Sequence, residues 1–249
     1  AFYWPTAGLV LGERLYVFAT RVVATGDRPF DFRAVGTDLA VFAVANGSDP
    51  RLLRVVGTPS RSAPDTLPQW GQAVLGPEGD GFVYVYATAR VDAPYHFGRA
   101  LYVARARPAG LEHPDQWRFF TGTGWSPSRE RARALVDSVG GVSTTPSVLR
   151  DGGAVVVVSK KDGFLGTDVD AWTAATPAGP FGPPALLVKA PSYEVPGELK
   201  YLPATHPELR LASGKMLVTI CRNNTDLTGT VMAHADLYKP QFVEASLPH

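Results

Sequence analysis

The sequence predicts an all-β fold, a β-propeller of four-stranded antiparallel blades. Three observations carry this reading. One hairpin pattern recurs four times along the chain, its turns are built from Gly, Asp, Ser and Pro, and almost no segment has helical periodicity. Gly 25 and Pro 22 punctuate the chain more densely than a helical protein tolerates, and they suit many short strands joined by turns.

The recurring hairpins are LVLGERLYVFATR from Leu9, AVLGPEGDGFVYVYATAR from Ala73, SVLRDGGAVVVVSKKD from Ser147 and ELRLASGKMLVTICRNN from Glu208. Each joins two β-forming runs through a Gly-containing turn, which is hairpin chemistry. A third strand follows each hairpin: TDLAVFAV from Thr37, RALYVARAR from Arg99, TDVDAWTAA from Thr167 and TVMAHADL from Thr230. A weaker fourth strand comes next: RLLRVVG from Arg51, QWRFFTG from Gln116, PPALLVK from Pro183 and PQFVEASL from Pro240. Four antiparallel strands in succession make a blade. A β-sandwich would use the same strands but gives no reason for their repeated order. The expected blades cover 6–57, 70–122, 144–190 and 206–248, within one domain spanning 1–249.

Composition narrows the function. Hydrophobic residues at 45% and charged residues at 19% allow a substantial core and argue against disorder. A net charge of +1, with no basic stretch interleaved with aromatics, argues against nucleic acid. The run from Arg129 to Arg133 is short, contains Glu130 and reads as a solvated loop. Cys221 is the single cysteine, so no intrachain disulfide is expected, and its apolar surroundings suggest a buried thiol. No signal, lipidation or membrane-spanning run is visible, although the chain opens at Ala1-Phe2-Tyr3-Trp4, close to a strand. The expectation is a monomer without membrane or nucleic-acid partners, its compartment unassigned. No nucleophile elbow, zincin helix or phosphate loop is found. With one Cys and scattered His, neither a metal site nor a cofactor is expected, though a carboxylate-rich channel mouth leaves room for an ion.

Blade geometry suggests where polar residues meet. Strands alternate direction, so loops leading into each first strand share a rim with loops between second and third strands. Residues far apart in sequence converge there. Aligning the repeats on Leu11, Leu75, Leu149 and Leu211 places Thr6, Trp70, Thr144 and His206 five residues earlier. Gly8, Gln72, Pro146 and Glu208 stand three residues earlier. The loops between second and third strands add Arg21 and Asp38, then Tyr95, His96 and Arg99, then Lys161, Asp162 and Asp168, then Arg222, Asn223 and Asp226.

The chemistry of this set suits a sugar. Trp70, Tyr95 and Tyr201 offer flat faces for a ring. Arg21, Gln72, His96, Arg99, Thr144, His206 and Asn223 offer hydrogen-bonding groups. Glycoside hydrolysis needs two carboxyls across the scissile bond, and Glu208 and Asp38 are the candidate catalytic pair. Each has a structural reading beside the functional one. Asp38 also suits a turn cap, Glu208 an ion pair with Arg222 or Lys200, and His206 a loop-orienting role before Pro207.

The runs YWPTAGLVLGERLYVFATRV, PFDFRAVGTDLAVF, FVYVYATA with HFGRALYVARA, and ATHPELRLASGKMLVTICRNN resemble the five-bladed propellers of the arabinanase and levansucrase type. They look most similar to a group catalogued as a domain of unknown function, related to endo-D-arabinanases. The resemblance implies a funnel-shaped sugar site with carboxylates at its floor, a glycosidase activity and a secreted setting. It also implies a further leading blade whose aspartates line the channel, whereas four repeats are visible here. The expected function is therefore hydrolysis of a furanose-containing polysaccharide or oligosaccharide. Two alternatives stand beside it: a non-catalytic carbohydrate-binding propeller, and a propeller recruited for a biosynthetic reaction on a small molecule.

Overall fold

The computed structural model describes residues 1–28, 30–45, 48–94, 96–163, 167–192, 195–209 and 211–248. It is an all-β propeller of antiparallel sheets. The first sheet is a meander of β1 (Phe2–Leu11), β2 (Arg14–Ala24), β3 (Phe32–Ala43) and β4 (Arg51–Gly57). The second runs β5 (Gln69–Leu75), β6 (Val83–Arg90), β7 (Arg99–Ala106), β8 (Arg118–Phe120) and β9 (Trp125–Ser126). The third runs β10 (Ser147–Asp151), β11 (Ala154–Lys160), β12 (Asp168–Ala174) and β13 (Ala185–Lys189). The fourth holds β14 (Glu198–Thr205), β15 (Met216–Asn224) and β16 (Gln241–Ala245).

Among the described residues there are four sheets, so the five-bladed expectation is not met. The fourth sheet departs most from the sequence reading. TVMAHADL was expected as its third strand but forms α1 (Thr230–Ala233) and a 3-10 turn at Ala235–Tyr238. The cause is local. The Asp226 carboxylate accepts the N–H groups of Gly229 and Thr230, each at 2.9 Å, and that capture starts a helical turn instead of an extended run. The first strand is also displaced. ELKYLPAT forms β14, Glu208 and Leu209 lie in the connection that follows it, and MLVTICRNN forms β15.

The chain divides into two compact units, one of residues 1–90 and 101–135, the other of 91–100 and 136–249. The first unit buries Phe18, Leu39, Val41, Trp70, Val83, Val85, Trp117 and Phe119 in one cluster. Aromatic rings set its centre, with Trp70 and Phe119 centroids 5.0 Å apart. Gly71 makes this packing feasible. At φ +99° it adopts a conformation that suits glycine, and a Cβ there would meet the Phe18 ring at 2.4 Å. The second unit buries Val156, Val158, Val169, Ala171, Val218 and Ile220. Its β11 strand, AVVVVSK, is buried at nearly every position, as expected of a strand covered on both faces. No helix of the described residues is long and apolar enough to cross a membrane.

Candidate functional site

In the first unit the notable cluster surrounds Asp38, and the tripeptide Gly36-Thr37-Asp38 builds it one residue at a time. Gly36 adopts φ +132°, and a Cβ at this position would lie 2.2 Å from the Arg61 carbonyl oxygen. Glycine therefore lets the loop after β4 lie directly on β3. Thr37 ties that loop down. Its Oγ1 lies 2.6 Å from Thr58 Oγ1, 2.7 Å from Ser60 Oγ and 2.7 Å from the Trp70 carbonyl. Asp38 then faces the residues the loop delivers.

The Asp38 side chain is 2% exposed. Its Oδ2 accepts the Tyr3 hydroxyl at 2.8 Å and lies 3.9 Å from Arg21 Nη1. Its Oδ1 lies 3.5 Å from Arg61 Nε but has no hydrogen-bond partner among the described residues. Arg21 is anchored in turn by donating Nη2 to the Arg61 carbonyl at 2.7 Å. The hydrogen bond to Asp38, then burial, push the Tyr3 phenol above its ordinary range, so it stays a neutral donor. This arrangement presents a buried carboxylate with one oxygen able to accept a further donor, beside two guanidinium groups.

Other expected site residues of this unit are placed differently. Trp70 is 1% exposed and packed in the core, so it offers no ring face to a sugar. The reason is a register shift in the β5–β6 pairing between Trp70 and Ala73, which upsets the count back from Leu75. Gln72, within the same irregularity, is also 1% exposed, with Nε2 donating to Thr20 Oγ1 at 3.2 Å.

In the second unit, Tyr201, Asn223, His206 and Glu208 belong to one sheet region. Tyr201 pairs with Cys221, and Asn223 hydrogen-bonds the Tyr201 side chain. Burial, with Cys221 and Tyr238 adding, pushes the Tyr201 phenol up to about 12. Burial also pushes the Cys221 thiol up, which makes it a poor thiolate. Glu208 lies beyond the end of β14 with its side chain 63% exposed, not at the start of a first strand as expected. Its partner is His206, whose Nδ1 is 2.9 Å from Oε1. Thr144 is exposed, and Arg99 joins the backbone of Val142 at 2.8 and 3.0 Å. His96 Nε2 is buried without a hydrogen-bond partner among the described residues. Tyr95 lies outside the described residues.

Sequence reasoning missed several polar groups. Tyr3 and Arg61 complete the Asp38 cluster. In the second unit, Glu198 begins β14, accepts Ser192 Oγ at 2.7 Å and pairs with Lys200 at 3.2 Å and Arg222 at 3.7 Å. Lys160 is fully buried and donates to the Lys200 carbonyl at 2.7 Å. Burial, then Lys200, push its amine down to about 8. Burial pushes the Asp170 carboxyl up; Lys161 opposes this, while Asp168 and Asp162 add to it. One signal was available, since Gly36-Thr37-Asp38 recurs as Gly166-Thr167-Asp168 leading into β12. Among the described residues no group of three or more His, Cys, Asp or Glu side chains is placed to hold a metal.

Comparison with known proteins places this architecture. No curated protein matches the sequence. A Bacteroides ovatus structure described as a candidate hydrolase has a TM-score of 0.72 at 18% identity, over 98% of this chain and 60% of that one. A Bombyx mori GH32 β-fructofuranosidase in complex with sucrose gives 0.57 at 11% identity, over 98% of this chain and 45% of that one. A Cellvibrio cellulosa α-L-arabinanase complexed with arabinohexaose gives 0.53 at 12% identity, over 97% and 73%. The chain thus spans 60% and 45% of the length of the first two. At these identities the likeness is one of fold alone, the β-propeller of antiparallel sheets. The family model described as a domain of unknown function (DUF5005) matches residues 1–246, and the chain belongs to that family.

Proposed function

We propose that this propeller acts as a glycoside hydrolase on a furanose-containing polysaccharide or oligosaccharide, with Asp38 as a carboxylate of its sugar site. The observation that carries the reading is the Asp38 cluster. A carboxylate this buried normally has its oxygens fully matched by donors. Here Oδ1 keeps acceptor capacity beside Arg21 and Arg61. A sugar hydroxyl or a water awaiting activation supplies the missing donor. Similarly folded proteins bound to sucrose and arabinohexaose support a carbohydrate as the ligand.

The ion pairs favour one second reading. Two guanidiniums and a phenol around a single carboxylate also make a rigid recognition surface, which would bind a sugar without cleaving it. One experiment separates the two. The protein is incubated with arabinan, arabinogalactan and fructan, new reducing ends are counted, and binding is followed by calorimetry. Turnover that falls about 100-fold or more in Asp38→Asn supports hydrolysis. Binding without turnover supports the recognition surface. Neither binding nor turnover with any polymer overturns both.

A further inference from the structure

The connection after β14 and the strand β15 that follows it hold three functional groups in line, His206 and Glu208 from the connection and Thr219 from β15. His206 Nδ1 is 2.9 Å from Glu208 Oε1, and His206 Nε2 is 3.0 Å from Thr219 Oγ1. The backbone fixes this geometry. The His206 N–H donates to the Leu217 carbonyl at 3.0 Å, and the Leu209 N–H closes the turn onto the His206 carbonyl at 3.1 Å. Val218 and Ile220 point into the core shared with β11 and β12, so Thr219 between them points to the opposite face of the sheet, where it is half-buried.

The hydrogen-bonding inventory sets the direction of the relay. The ionised Glu208 carboxylate only accepts, so His206 Nδ1 must carry the proton it shares with Glu208. In the neutral ring Nε2 is then an acceptor, and the Thr219 hydroxyl, which also reaches the Ala204 carbonyl at 3.4 Å, donates to it over the shorter 3.0 Å contact. The Glu208 carboxyl is held below its ordinary range by its own backbone N–H and by His206, which keeps it an acceptor at neutral pH. A hydroxyl on a base, with the base oriented by a third group, is the signature of an activated nucleophile.

We propose that Thr219, His206 and Glu208 form a second reactive site that hydrolyses short-chain carboxylic esters, independent of Asp38. Thr219 is the nucleophile, His206 the base and Glu208 a positioning residue. The surroundings suit an acyl group. Phe242 stands directly opposite Thr219 in the strand pairing and is 65% exposed, Leu209 in the adjoining turn is 49% exposed, and the partner on the other side is the small Ala204.

Thr219 Oγ1 bonds to the ester carbonyl carbon while its proton passes to His206 Nε2. The carbonyl carbon–alkoxy bond breaks, and the leaving alcohol takes that proton. Water then attacks the acyl-threonine, giving one proton to Nε2. Thr219 departs with that proton, and the carboxylic acid is released.

The test uses the whole chain with p-nitrophenyl acetate and butyrate. Saturable release of p-nitrophenolate is expected, faster than an equal concentration of free imidazole, with an acetyl adduct on the peptide containing Thr219. Thr219→Val keeps a β-branched shape and is expected to lose about 100-fold or more, with an unchanged circular dichroism spectrum. Thr219→Ser is expected to retain activity. Glu208→Gln is expected to lower kcat with KM unchanged, a split that a purely structural role would not produce. Wild-type turnover no faster than imidazole overturns the proposal. So does a folded Thr219→Val variant that retains full activity.

Discussion

The Tyr3 hydroxyl donates to Asp38 Oδ2 at 2.8 Å, linking the first strand of the chain to a residue 35 positions away. This bond matches the only oxygen of Asp38 that has a hydrogen bond among the described residues. Tyr3→Phe keeps the ring and removes the donor. The expected cost is about 1 kcal/mol, because a buried acceptor loses its partner. It should appear as a lower urea midpoint with an unchanged slope. An unchanged midpoint would mean that the bond contributes nothing in solution.

Gly36→Ala should be far more damaging. The new Cβ would sit 2.2 Å from the Arg61 carbonyl oxygen and 2.4 Å from that of Ser60, at a φ of +132°. Backbone atoms cannot swing aside as a side-chain end can. The loop must lift, taking Arg61 from Asp38 and the hydroxyls of Thr58 and Ser60 from Thr37. A loss of roughly 3 kcal/mol or more is expected in chemical denaturation. Gly12 is the control, since its turn has open space around it. There Ala should cost only the strain of a positive φ, about 1 kcal/mol.

Lys160 predicts an alkaline stability profile. Its amine ionises at about 8 in the folded chain, against an ordinary value of 10.5. Below pH 8 both states hold the proton, and the folded state bears the full cost of burying a charge. Between about 8 and 10.5 the folded state releases its proton first, so this contribution to stability rises with pH. Lys160→Met removes the titrating group. Comparing both proteins by urea denaturation from pH 7 to 10.5, wild type should gain on the variant by on the order of 1 to 3 kcal/mol. A constant difference across that range would contradict the assignment.

Trp70 separates core from site. If its role is packing, Trp70→Ala should cost about 3–5 kcal/mol of stability. Trp70→Phe, which keeps an aromatic ring against Phe119, should recover much of that. A Trp70→Ala protein with native stability but weakened sugar binding would reverse this conclusion.

The legible parts of the fold were those with simple alternation and unambiguous turns. The first three sheets keep the expected strand order because runs such as RLYVFAT and AVVVV have one sensible pairing. The fourth sheet offered two adjacent strand-like runs, ELKYLPAT and ELRLASGK, and nothing in composition chooses between them. The first wins because residues 198–205 pair with β15 through an irregularity between Tyr201 and Ala204 that no periodicity announces. The same limit explains the site. Asp38 and Arg21 were found together because they share a hairpin, and their ion-pair atoms lie 3.9 Å apart. Tyr3 and Arg61 were missed because they reach Asp38 through a strand pairing and through a loop folded over Gly36. Trp70 was misplaced because a bulge changes which face a residue occupies, and counting back from Leu75 cannot register it.

The hydroxyls beneath that loop have a directional consequence. The Trp70 N–H donates to Ser60 Oγ at 2.9 Å, and the Trp70 carbonyl can only accept, taking its proton from Thr37. Thr58 can spend its own proton on the Thr37 carbonyl at 2.8 Å. Ser60 is then the hydroxyl left to donate to Thr37. The bonds run one way around a closed circuit, from the Trp70 amide through Ser60 and Thr37 back to the Trp70 carbonyl. In such a loop each dipole polarises the next, so it strengthens or fails as a whole. Thr37→Val would preserve the shape and cut the circuit, leaving Trp70 with an unanswered carbonyl at the place where β5 meets β3.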